Sequence, residues 1–205
     1  MEPFLHGLIL AFGLILPLGV QNVFIFNQGA TQKSLIRVLP AVLTAGISDT
    51  LLISLAVTGV SLLVFSFNLF KNMLFVVGFF FLLYMGWTMW RSKTIGNQQQ
   101  TDGLSPKQQI TFAASVSLLN PHAILDTIGV IGTSSLTYSG LDKWVFALTC
   151  ILVSWIWFVG LAILGRQIGK IDTKGQFLLR LNKISAIVIW GMALYIGYTF
   201  FSFIE

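Results

Sequence analysis

Two carboxylates, Asp49 and Asp126, stand alone in long apolar stretches of this 205-residue chain. Counting from Arg37 at about 1.5 Å per helical residue puts Asp49 roughly 18 Å deep, near the middle of a hydrocarbon layer about 30 Å thick. Asp126 sits about as deep in its own stretch. An acid at that depth costs about 2.5–3.5 kcal/mol on insertion scales, so such acids face a cavity or bundle interior and mark ion or substrate paths. A protonated, hydrogen-bonded structural aspartate is the ordinary alternative. No Lys or Arg shares the stretches 38–70 and 108–141 that hold these acids. A cationic substrate or a proton would supply the missing partner.

A second chemistry is written in Asn120-Pro121-His122-Ala123. Proline has no N–H, clashes with the carbonyl four residues back at Ser117, and disfavours a helical Asn120. Asn is a preferred N-cap and Pro a preferred first helical residue, so a new half-helix is expected to start here at mid-membrane depth. Its free N–H groups and positive dipole end would seat a carboxylate. An ordinary proline kink, satisfied by Ser115 or Ser117, is the competing reading. Pro17-Leu18-Gly19 predicts a similar break in the first helix, although Leu16 cannot cap it. Together the features describe a receptor for a zwitterion, with aspartates for an amino group or cationic side chain. Gln21, Asn22, Gln28 and Thr127 would add hydrogen bonds or serve as interhelical glue. His122, beside the break, is a candidate proton carrier, whereas Ser48 and Ser154 read as packing. His6 falls near the outer interface, where no specific role is expected of it.

The elements that must position these groups follow from composition. Apolar residues make up 56% of the chain and charged residues 9%, against about a quarter charged in soluble domains. Six stretches are long enough to cross a bilayer, with cores at 4–26, 40–66, 70–90, 110–136, 144–165 and 184–204. The fold class is therefore an all-α integral membrane protein of six transmembrane helices, with helices 1 and 4 broken. Ten of the twelve basic residues fall in loops 1–2, 3–4 and 5–6, leaving Lys71 and Lys143 elsewhere. Those three loops are thereby expected on the cytoplasmic side. The basic residues form no single stripe, which argues against nucleic acid despite the net charge of +5. The lone Cys150 excludes an internal disulfide or thiolate cluster, and reads as a small buried residue. No cofactor or metal is expected.

The polar segment 91–109 reads as a linker between two three-helix repeats, 1–90 and 110–205. With an odd number of spans in each, the repeats must enter the membrane from opposite sides, the inverted arrangement of many secondary transporters. Laying Pro17 on Pro121 brings Asn22 onto Asp126.

At these residues the chain resembles the lysine exporter family, in particular its basic amino acid branch. The resemblance runs nearly the whole length. It rests on Ile15-Leu-Pro-Leu-Gly-Val-Gln-Asn-Val-Phe-Ile-Phe-Asn-Gln-Gly29, Ile47-Ser-Asp49, Leu119-Asn-Pro-His-Ala-Ile-Leu-Asp-Thr127 with Gly129 and Gly132, and Ser154-Trp-Ile-Trp-Phe-Val-Gly160. Where the family carries a second proline after Leu-Gly, this chain has Val20. The resemblance implies a multi-pass exporter of amino acids in the bacterial inner membrane, not an enzyme, with the bilayer, an amino acid and protons as its partners. Homo-oligomerisation stays open. Relatives handling threonine, homoserine or leucine make a neutral substrate the alternative, and the two buried acids favour lysine or arginine. Moving a cation out of a negative interior costs about 2.3 kcal/mol per 100 mV, so proton antiport by alternating access is expected. An intramembrane aspartyl protease also needs two membrane aspartates, but neither Asp49 nor Asp126 lies in a Gly-rich motif of that kind.

Overall fold

The computed structural model describes residues 1–16, 19–59, 68–91, 104–172 and 175–202. Pro17, the stretch 60–66 expected to end helix 2, and most of the linker lie outside the described residues, as do the side chains of Pro121 and His122. The described elements are helical: α1 (Glu2–Ile15), α2 (Val20–Thr31), a 3-10 turn (Leu35–Val38), α3 (Leu39–Val57), α4 (Asn68–Trp90), α5 (Pro106–Leu118), α6 (Pro121–Asp126), a π-helical stretch (Thr127–Gly132), α7 (Thr133–Ser135), α8 (Gly140–Ile171) and α9 (Gln176–Ser202).

Three described segments, Leu35–Val57, Gly140–Ile171 and Gln176–Tyr195, are long and apolar enough to cross a membrane, and α1 with α2 makes a fourth if that bent pair is one span. On α8, Leu148, Leu152 and Ile156 are 56%, 58% and 67% exposed. Their spacing puts them on one face with no protein covering it, the pattern of a helix against lipid.

Several expected boundaries move. The linker gives up its last residues to α5, because Ser105 and Gln108 form a reciprocal capping box and Pro106 occupies the first helical turn. Helix 5 runs from Gly140 to Ile171 instead of 144–165, and helix 6 begins at Gln176 instead of 184. Arg166, Lys170, Arg180 and Lys183 are thus on helices and not in a loop. Lys and Arg are good helix formers, and their long stems let a helix continue past the hydrocarbon.

Packing follows a pattern. α1 and α2 lie on α8, while α5 and the π stretch lie on α3; α3 meets α8, and α4 meets α9. α2 and α8 approach each other closely. A Cβ at Gly29 would run into the Ala162 carbonyl, one at Gly165 into Phe26, and one at Gly169 into Ala30. Small residues four apart allow this backbone contact where lipid supplies no hydrophobic drive between helices. On the other side of the bundle the Trp190 ring fills the space above Gly86, and its Nε1 donates to the Leu83 carbonyl at 3.3 Å.

Candidate functional site

Both expected helix breaks line one cavity. α1 ends at Ile15 and α2 begins after Gly19, their axes 78° apart. A break strands carbonyls at the end of α1, and Asn22 reaches back across it, its Nδ2 donating to the Ile15 carbonyl at 2.6 Å. Asn22 therefore splints the break. Further along the chain α5 ends at Leu118, and the Asn120 carbonyl accepts from the Ile124 N–H at 3.2 Å, the first bond of α6. Asn120 thus holds the N-cap position expected of it. The π-helical stretch Thr127–Gly132 follows directly after Asp126. Its wider turn was not foreseen, although π-bulges gather at functional sites.

The cavity between these breaks has a volume of about 440 Å³, within the roughly 300–1,000 Å³ range of small-molecule sites. Its polar wall includes Gly19, Gln21, Asn22, Asp49, Asn120, Asp126 and Thr127. Every one of these was singled out in the sequence, and they come from four elements and two turns far apart in the chain. Pro17 lies outside the described residues, and only the backbone of Pro121 and His122 is described. Leu52, Ile53, Ile131, Phe158, Val188 and Met192 supply apolar wall between the polar groups.

Asp49 is held by Gln21, whose Nε2 donates to its Oδ1 at 3.3 Å, and Ser154 of α8 lines the same cavity. Ser154, expected only to pack, therefore belongs to the site. The correction comes from the pairing of α8 with α3, which a serine in an apolar run does not announce. Ser48 is buried and absent from the cavity wall. Thr127 lines the cavity while its Oγ1 donates to the Ala123 carbonyl of its own helix at 2.8 Å. Gln28 is buried and absent from the cavity wall, accepting from Gln32 Nε2 at 3.2 Å. Cys150 is buried as expected, and also reaches the cavity wall.

Trp155 has a defined structural task. Its ring lies on Gly46, and its Nε1 donates to Thr50 Oγ1 at 3.1 Å, pinning α8 to α3 at the residues next to Asp49 and Ser154 in the chain. At the opposite end of α1, His6 Nδ1 is 2.9 Å from the Tyr138 hydroxyl, a contact for which the sequence offered no signal. Among the described residues no group of three or more His, Cys, Asp and Glu is placed to hold a metal.

Residues 12–199 match the sequence profile of a family described as LysE type translocator. YisU of Bacillus subtilis (strain 168), a proposed amino-acid transporter, is 58% identical over 98% of this chain and 91% of its own length. The arginine exporter protein ArgO of Pectobacterium carotovorum subsp. carotovorum (strain PC1) is 31% identical over 93% of this chain and 94% of its own. ArgO of Serratia proteamaculans (strain 568) reaches 34% over 95% and 96%. No solved structure matches the chain.

Proposed function

This chain belongs to the LysE type translocator family of membrane amino acid transporters, and from that premise we propose that it exports basic amino acids, arginine or lysine, in exchange for protons. One observation carries the reading: two acids from separate helices, Asp49 and Asp126, share a cavity of about 440 Å³ with the cap residue of a broken helix. The aspartates would take the ammonium or guanidinium groups and exchange them for protons. The first N–H groups of α2 and α6, which have no intrahelical acceptor, would receive the carboxylate.

Alternating access around this site fits two inverted halves. Exchanging the halves maps the packing of α1 and α2 on α8 onto that of α5 and the π stretch on α3, and leaves the α3–α8 and α4–α9 pairs unchanged. That symmetry supports six spans in two repeats, with the basic loops in the cytoplasm of a bacterial cell. The two ArgO relatives favour arginine over a neutral substrate.

The test is export from cells loaded with dipeptides of arginine, lysine, threonine or leucine, comparing the parent with Asp49→Asn and Asp126→Asn. Loss of one charged contact worth about 1.5–3 kcal/mol is expected to lower arginine or lysine export about tenfold or more in each variant. Equal export by all three proteins would remove the aspartates from the mechanism. Preferred export of threonine or leucine by the parent would make the substrate neutral.

A further inference from the structure

We propose that the seam between α2 and α9 is the mouth through which the cavity meets the face bearing the basic residues, and that α4 and α9 swing from α2 as one unit to open it. The proposal rests on the export reading, which requires one face to admit substrate and the other to release it.

The two sides of α2 are built differently. Toward α8 the contact is backbone against backbone through Gly29, Gly165 and Gly169. Hydrogen bonds extend that body. Arg166 donates to the Gln32 and Lys33 carbonyls at 2.9 and 2.8 Å, Gln32 donates to the Leu104 carbonyl at 2.9 Å, and Gln109 bridges the Arg37 and Leu104 carbonyls, each at 2.9 Å. The end of α2, the entry to α3, the start of α5 and α8 are thereby tied together. α4 and α9 are tied to each other by Trp190 over Gly86, its bond to Leu83 and its ring tilted against Trp90, centroids 5.6 Å apart.

Between these bodies α2 and α9 meet along a seam of side chains. Its inner part is apolar, Val20 and Val23 sharing a buried cluster with Ala186, Ile189 and Ala193. Its outer part is polar: Asn27 Nδ2 donates to Asn182 Oδ1 at 2.5 Å. Asn27 Oδ1 and Ser185 Oγ are buried there with no hydrogen-bond partner. Of the four such atoms among the described residues these two belong to α2 and α9, and buried polar groups are nearly always satisfied. Both gain partners when water or the donor-rich end of a substrate enters, and amide and hydroxyl oxygens suit an ammonium or guanidinium.

The seam also runs from the cavity. Val20 of α2 and Val188 and Met192 of α9 line it. Asn27 follows Val20 by two helical turns, and Ser185 precedes Val188 by one, both on the way to the helix ends beside Lys33, Arg37, Arg180 and Lys183.

The experiment uses Ser185→Cys, a near-isosteric change, and Asn27→Cys in membrane vesicles of either sidedness, with a membrane-impermeant maleimide. The parent, carrying buried Cys150, gives the background. Labelling above that background is expected only from the face with the basic residues, and is expected to change when arginine is added. In Asn27→Cys/Asn182→Cys, a disulfide across the seam is expected to reduce arginine flux to background, with reductant restoring it. Absence of labelling from that face, labelling from the opposite face, or undiminished flux through the disulfide-linked protein would overturn the proposal. A parent that carries no amino acid at all would sink the export reading, and the labelling pattern would still decide the seam.

Discussion

Gly165 is the most exacting position on the α2–α8 contact, and one pair of alanine substitutions isolates what it does. In Gly165→Ala the new Cβ meets the Phe26 carbonyl and lies 3.2 Å from the Ala30 nitrogen. These are main-chain atoms of a neighbouring helix, so relief requires α2 to move bodily. Overpacking of this kind costs about 1–3 kcal/mol. Alanine also gains about 0.5–1 kcal/mol over glycine inside a helix. Gly160, about one and a half turns earlier on α8, has nothing within 4 Å of its Cβ position, so Gly160→Ala carries the propensity gain alone. The gain cancels between the two variants and leaves the overpacking cost. At about 2–4 °C per kcal/mol for chains of 150–250 residues, the difference in melting temperature is about 2–12 °C, Gly165→Ala being the lower. The assay is thermal unfolding of the detergent-solubilised proteins, read by loss of the monodisperse species. Because α2 carries Gln21 and Asn22 to the cavity, Gly165→Ala is also expected to lower transport, whereas Gly160→Ala leaves it unchanged. Equal melting temperatures, or a more stable Gly165→Ala, would show that the helices are not held by this approach.

Three further outcomes are expected. Arg166→Met removes both bonds to the carbonyls beyond α2 and lowers stability by about 1–3 kcal/mol, while Arg166→Lys, whose ammonium cannot fork, falls between it and the parent in the same melting assay. Ser154→Ala deletes a hydroxyl from the cavity wall that Asp49 shares and little volume, so substrate affinity measured by KM for arginine is expected to weaken with melting temperature nearly unchanged; an unaltered KM would return Ser154 to packing. In proteoliposomes at clamped voltage, arginine flux out of the cytoplasmic side is expected to rise with a proton gradient directed the opposite way, and indifference to pH would refute proton antiport.

What the sequence made legible here is what local chemistry or charge determines. Asn120-Pro121 marks its own break because the missing N–H and the capping amide act within four residues, and the structure starts α6 where that logic starts it. The positions of Asp49 and Asp126 were legible because an acid in hydrocarbon has few places to go. Helix lengths were misjudged where hydropathy stood in for helicity. Arg180, Asn182 and Lys183 interrupt the apolar run without ending the helix. The same polarity hid a packing motif, since Gly165-Arg-Gln-Ile-Gly169 looks like a loop until α8 is seen to run through it. Ser154 and Gln109 were unreadable for a different reason. A serine or glutamine in a membrane helix has many local ways to be satisfied, and its role depends on which helix the fold sets opposite. For Ser154 that helix is α3 with Asp49; for Gln109 it is the turn that leads into α3, whose Arg37 carbonyl it holds. Both depend on α3 packing against α5 and α8, a long-range fact that no window of the sequence contains.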